Sequence, residues 1–188
     1  VLVDSITAWR EAYKRTFREF GINLSRLEEL WSMNAWAEDR EIIGKAVPLN
    51  IEGRDKVIEQ MLSYLCDTME NFVASFYVKE QKGVKKLLDA LTHRKMKMAV
   101  VTNNYRWLAE KTLNQFELRD YFNLVLTKDD VKKTKPHPEP ILHAIKRLKC
   151  KQKNTLCIGD MDTDIVAGKA AGTINVLFDP HNPPLKIA

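Results

Sequence analysis

Apolar residues in the first eighty positions recur at helical spacing. Ile6, Trp9, Tyr13, Phe17 and Phe20 fall three or four residues apart, which places them on one face of a helix. Gly21 fits its stop. Leu27, Leu30, Trp31 and Trp36 predict a second helix. Val57, Met61, Tyr64 and Leu65 predict a third, continued by Met69, Phe72, Val73 and Phe76. Nothing before residue 95 alternates or clusters as a strong strand. This part reads as a small helical bundle, with its aromatic stripe as core rather than cofactor site.

From Gly83 the texture changes. Val84, Leu87, Leu88 and Leu91 give an amphipathic helix. Met96-Lys97-Met98-Ala99-Val100-Val101 reads as a buried strand ending at Thr102, followed by a helix over Trp107 to Phe116. Further strands are expected at Asn123 to Thr127, Thr155 to Ile158 and Ile174 to Phe178. Helices are expected from Pro140 to Leu148, with proline in the first turn, and from Asp164 to Ala171, stopped by Gly172. Strands alternating with helices at this spacing predict a parallel sheet with helices on both faces. Near-continuous apolar strands fit burial on both sides.

Charge and composition narrow the functions open to such a chain. The formal net charge is +5, but the lysines are scattered and interrupted by apolar and acidic residues. A nucleic-acid binder would concentrate them on one face with interleaved aromatics, so no nucleic-acid partner is expected. A mildly positive field still favours anionic substrates. The cysteines, Cys66, Cys150 and Cys157, are odd in number and scattered. They fit neither a disulfide framework nor a zinc site, and Cys157 reads as a buried thiol. No stretch reaches membrane-spanning length and no signal peptide is visible. No membrane partner is expected, and a cytoplasmic location is.

In open parallel sheets, ligands bind beyond the carboxyl ends of the strands. Three polar clusters follow strands here. Thr102-Asn103-Asn104 could hold a phosphate oxygen through a hydroxyl and free backbone N–H groups, or be an ordinary helix cap. Lys135-Pro136-His137-Pro138 could present a lysine from a stiffened loop to a phosphoryl group, or be a surface loop. His137 is a loop residue before it is a base. Gly159-Asp160-Met161-Asp162-Thr163-Asp164 sets three carboxylates within five residues. These repel unless a cation or hydrogen bonds offset them, and their oxygens suit Mg²⁺. The alternative is a turn with helix-capping aspartates. Asp162 is expected to point to solvent.

Thr102, Lys135 and Asp160 follow successive strands in that order, and this resembles the haloacid dehalogenase-like hydrolases. Their second motif is an apolar strand ending in Thr or Ser. Their third is a lysine, and their fourth is Gly-Asp with a further Asp, then a helix such as the one here ending Ala-Ala-Gly. Gly83-Val84 and its helix look like the family's return from a cap domain into the core. Val1-Leu2-Val3-Asp4-Ser5 matches the tail of the family's first motif, Asp-x-Asp-Gly and following residues.

The resemblance implies an α/β fold, a Rossmann-like parallel sheet core with helices on both faces. A small helical cap domain is inserted after the first strand. The core would comprise residues 1–8 and 79–188, and the cap residues 9–78. It implies a Mg²⁺-dependent phosphatase acting on a small phosphorylated metabolite, with phosphoglycolate the leading substrate, through an aspartyl-phosphate. Asp160 would bind Mg²⁺, with Asp164 as second or outer ligand. Thr102 and the Asn103 backbone would bind phosphate, and Lys135 would offset the charge of nucleophile and phosphate. The two catalytic aspartates of the first motif are expected upstream of Val1, and the chain without them is expected to be inactive. In the family their strand is central, so without it two neighbours would keep unpaired edges. The alternatives are a phosphomutase of the same superfamily, or a non-catalytic binding protein that has lost its first motif.

Overall fold

The computed structural model describes residues 1–34 and 39–179, and the side chains of all of these except 31–34 and 72–75. Trp36 and the side chains of Trp31, Phe72 and Val73, counted above in helical stripes, therefore lie outside the described residues. The chain forms two compact units: Val3–Lys79, and Val1–Leu2 together with the chain from Glu80 onward.

The first unit is helical: α1 (Ile6–Glu19), α2 (Leu24–Asn34), α3 (Asp39–Ala46) and α4 (Arg54–Thr68). A π-helical turn over Met69–Val73 and a short α5 (Ala74–Tyr77) continue α4. Tyr13, Phe17, Ile43, Met61, Leu65 and Met69 are its large fully buried side chains. The buried stripe of α1 differs from the aromatic one. It comprises Ala8, Ala12, Tyr13, Thr16 and Phe17, while Ile6 is 53% exposed. Alanines count little in a hydrophobicity pattern but admit close helix packing. Thr16 is tolerated in the core because its Oγ1 donates to the Ala12 carbonyl at 2.9 Å. Helix α3, not anticipated from the pattern, buries Ile42, Ile43 and Ala46. Its last turn is closed by Arg54, whose guanidinium donates to the carbonyls of Gly44 and Val47.

Two short strands, β1 (Val3–Asp4) and β2 (Lys79–Glu80), pair where the chain passes from one unit to the other. At two residues each they carry no readable period, which is why the pattern before residue 95 shows no strand.

The second unit alternates: α6 (Val84–His93), β3 (Ala99–Val101), α7 (Arg106–Gln115), β4 (Leu124–Leu126), α8 (Glu139–Leu148), β5 (Leu156–Gly159), α9 (Asp162–Ala170), β6 (Ile174–Leu177). The strands pair in parallel, β3 with β4 and β5 with β6. The fold is thus α/β with parallel strands, as the periodicity implies. Strand side chains sort by parity. Val100 and Val125 pack with Val84, Leu88, Ala109 and Leu113 of α6 and α7. Ala99, Val101, Leu124 and Leu126 pack with Ala144 of α8 on the other face. Helices therefore cover both faces of β3–β4.

The pair β5–β6 departs from the expectation of two-sided burial. Cys157 packs with Ala167 and Ala171 at α9, but Leu156, Ile158, Ile174 and Val176 are 42–57% exposed, so no described element covers that face. Moreover β3–β4 and β5–β6 are separate sheets. Among the described strands, β3, β4, β5 and β6 each keep one unpaired edge.

Candidate active site

The site lies wholly in the second unit, at the carboxyl ends of β3 and β5. Strand β3 finishes with Thr102 N–H donating to Leu126 O at 2.9 Å. The chain then turns, and the Thr102 hydroxyl oxygen accepts the Asn104 N–H at 3.1 Å. That bond fixes the hydroxyl and leaves its hydrogen to donate. The turn is tied to the loop after β4: Lys128 N–H donates to Asn104 O at 3.3 Å, and Asp129 caps α7 by accepting the Arg106 N–H at 2.8 Å. The Arg106 guanidinium pairs with Asp130.

Lys135 is drawn inward from the loop before α8. Its ammonium donates to the Val101 carbonyl at 2.8 Å and to Asp164 Oδ1 at 2.5 Å. The two side chains are only 12% and 15% exposed, so removing either partner would leave the other as an uncompensated, largely buried charge. His137 is exposed. Its Nδ1 accepts the Glu139 N–H at 3.2 Å, a helix-capping role far from that of a base.

Asp160 follows β5 and is exposed, with the Val1 ammonium 3.0 Å from its Oδ2. Asp162 is exposed as well. Asp164 turns back toward the strand end: its Oδ2 accepts the Met161 N–H at 3.2 Å while Oδ1 holds Lys135. Both oxygens of Asp164 are thereby engaged, whereas Asp160 is exposed and keeps Oδ1 outside its pair with Val1, which makes it the better placed of the two to take a cation directly. One carboxylate, with waters and a phosphate oxygen, suits Mg²⁺. Among the described residues no three His, Cys, Asp or Glu side chains form a metal cluster, so substrate or water oxygens would have to complete the shell.

The structure thus brings the three clusters to one rim. Lys135 touches the residue before Thr102 and the carboxylate four residues after Asp160. What the sequence could not supply is the side chain of Asn103, which bonds to the backbone of Lys135, and the Arg106–Asp130 pair. Both join residues more than twenty positions apart, where local spacing carries no signal. Burial pushes the Cys157 thiol above the ordinary range, outweighing the hydrogen bond from Thr173, which disfavours its thiolate.

A profile of the haloacid dehalogenase-like hydrolases matches residues 1–178. A phosphoglycolate phosphatase of Aquifex aeolicus is 32% identical over 179 residues, 94% of this chain and 79% of that one. A protein of Caldanaerobacter subterraneus provisionally named pyrophosphatase PpaX is 36% identical over 135 residues, 71% of this chain. The match spans 60% of that relative's length. Among solved structures, a hydrolase of the same superfamily from Geobacter sulfurreducens superposes with a TM-score of 0.70 at 24% identity, covering 97% of this chain and 84% of the other.

Proposed function

This chain belongs to the haloacid dehalogenase-like hydrolase family, and we propose that it is the greater part of a Mg²⁺-dependent phosphatase acting on a small phosphate monoester. The observation that carries this reading is the placement of Lys135. Its ammonium is held between Val101 O and Asp164 Oδ1, so it touches the residue before Thr102, whose hydroxyl hydrogen is left to donate, and the carboxylate four residues after the exposed Asp160. A largely buried cation, a preoriented hydroxyl and an exposed carboxylate beyond the strand ends would make a receptor for a metal-bound phosphoryl group.

In this reading Thr102 Oγ1 and the Asn103 N–H donate to phosphoryl oxygens. Lys135 offsets negative charge that gathers as the phosphoryl group moves, and Asp164 keeps Lys135 in place and charged. Asp160 would hold the metal, with Asp164 supporting from outside. When bound, Mg²⁺ supplies charge neutralisation and a template for the phosphoryl oxygens. We place the nucleophile and the acid–base aspartate in chain preceding Val1. Support comes from Val1-Leu2-Val3-Asp4-Ser5 as the tail of the first motif. The nucleophilic carboxylate would attack phosphorus as the ester oxygen leaves with a proton from the second aspartate. Water would then cleave the aspartyl-phosphate.

We assign the helical unit, Val3–Lys79, the role of a cap that selects the substrate. Phosphoglycolate is the leading candidate, on the strength of the Aquifex relative. The free cysteines suit the reducing cytoplasm. The test is inorganic phosphate release by the full-length protein from phosphoglycolate, pyrophosphate and a generic aryl phosphate. We expect release that needs Mg²⁺, stops with chelator and is lost in Asp160→Asn while the fold persists. Absence of release from every ester, or an Asp160→Asn enzyme that turns over normally, contradicts the proposal.

A further inference from the structure

Two loops must hold one geometry for a phosphoryl group to meet both Thr102 and Lys135. Thr102 is set by the end of β3. Lys135 sits in an irregular stretch between β4 and α8, with no ladder of its own. The Lys135 side chain is long and loses much rotamer freedom when fixed, so anchoring its ammonium alone leaves its backbone free to shift.

The backbone is anchored by a side chain. Asn103 Nδ2 donates to Lys135 O at 2.9 Å, and Asn103 Oδ1 accepts the Lys135 N–H at 3.1 Å. One amide therefore satisfies both backbone groups of the lysine, in the two-bond pattern that one strand residue offers another, across 32 residues of sequence. Both ends of the Asn103 amide are occupied by this pairing. Its side chain is thus turned from the phosphate toward the lysine, while its backbone stays in the turn beside Thr102.

We infer that Asn103 is the positioning residue for Lys135: its side chain clamps the lysine loop to the Thr102 turn and so sets the spacing between ammonium and hydroxyl. The inference rests on the phosphatase reading above for its effect on turnover, though not for the clamp itself. A serine or alanine at 103 would still allow the backbone N–H to reach a phosphate oxygen. It would release the loop. A misplacement of the order of 1 Å near a reacting centre costs roughly 100-fold in rate.

The test uses the full-length protein in two measurements. In amide hydrogen exchange, Asn103→Ala should speed exchange of the Lys135 N–H. The Thr102 N–H, bonded to Leu126 O, should keep its protection. Asn103→Asp retains the acceptor and should keep the Lys135 N–H protected. In kinetics, Asn103→Ala should lower kcat about 10- to 100-fold with KM little changed. The same substitution made in Lys135→Ala should add almost nothing, because no lysine is left to position. Unchanged Lys135 exchange in Asn103→Ala, or kinetic effects that multiply in the double variant, would overturn the clamp. A Lys135→Ala enzyme as active as wild type would instead sink the phosphatase reading, with the exchange result still standing.

Discussion

Asp130 gathers three bonds on a single oxygen: the Thr127 N–H at 2.8 Å, the Thr127 hydroxyl at 2.9 Å and the Arg106 guanidinium. Burial disfavours its charge. The Thr127 and Arg106 contacts outweigh that penalty and hold the carboxyl below its usual range. A depressed folded pKa means that the ionised form stabilises the fold above the unfolded aspartate value, about 3.9, and that this contribution fades as pH falls through the lower folded value. Asp130→Ala should therefore cost about 1–3 kcal/mol at neutral pH, and its deficit against wild type should shrink below about pH 4. Urea unfolding of both proteins at pH 7 and in acid measures this. A deficit that is the same at both pH values would show that the carboxylate charge is not what matters. The residue belongs to the same scaffold as the site, since Arg106 opens α7 directly after the Thr102 turn.

At the scale of elements, α9 decides whether Asp164 reaches Lys135. Gly159 ends β5 where the helix passes over it: a Cβ there would lie 2.1 Å from Asp164 Cβ and 2.6 Å from its Oδ2. Only a residue without a side chain allows that approach. Gly159→Ala must push α9 away, and should destabilise the protein by about 1–3 kcal/mol while loosening the Lys135–Asp164 pair. Gly44 is the internal control. It sits within α3 with nothing within 4 Å of its Cβ position, so Gly44→Ala should be neutral or stabilise by roughly 0.5–1 kcal/mol. Thermal or urea unfolding of the two variants separates packing from propensity; equal shifts would refute the contact argument. Gly172 ends α9 by other means. At φ 71° it lets Thr173 N–H reach back to Gly168 O at 3.1 Å and its own N–H reach Lys169 O at 3.0 Å, the geometry that turns the chain into β6.

These elements also show what the sequence made legible. Strands β3 to β6 stand out as apolar runs because each run is short, β-branched and bounded by polar residues. Thr102, Lys135 and Asp160 could be picked out because each follows such a run. Pairing was less visible. Strand β3 pairs only from Ala99, since Lys95 takes a left-handed turn at φ 55° and the Met98 N–H is taken by the Asn123 side chain. Helix α3 escaped because its eight residues carry Gly44 and barely two turns of period. From the sequence Asn103 offers its backbone N–H to a phosphate turn, and its side chain's partner 32 residues away has no local signature.

For the molecule as a whole, the description is of two units, each with its own core. The parallel unit holds every candidate residue named for phosphate and metal. No described helix is long and apolar enough to cross a membrane. The family profile spans both units, from residue 1 to residue 178. The exposed apolar face of β5–β6 and the unpaired edge that every strand of the two pairs keeps give the parallel unit capacity for further pairing and burial. In this unit Lys135 joins the end of β3, through Val101 O, to the start of α9 after β5, through Asp164 Oδ1. The most direct measurement is a crystal structure of the full-length protein with Mg²⁺ and orthovanadate. We expect the vanadate to accept from Thr102 Oγ1 and Lys135 Nζ, with Mg²⁺ on Asp160. A vanadate bound elsewhere, or Thr102, Lys135 and Asp160 facing different surfaces, would contradict a shared phosphoryl site.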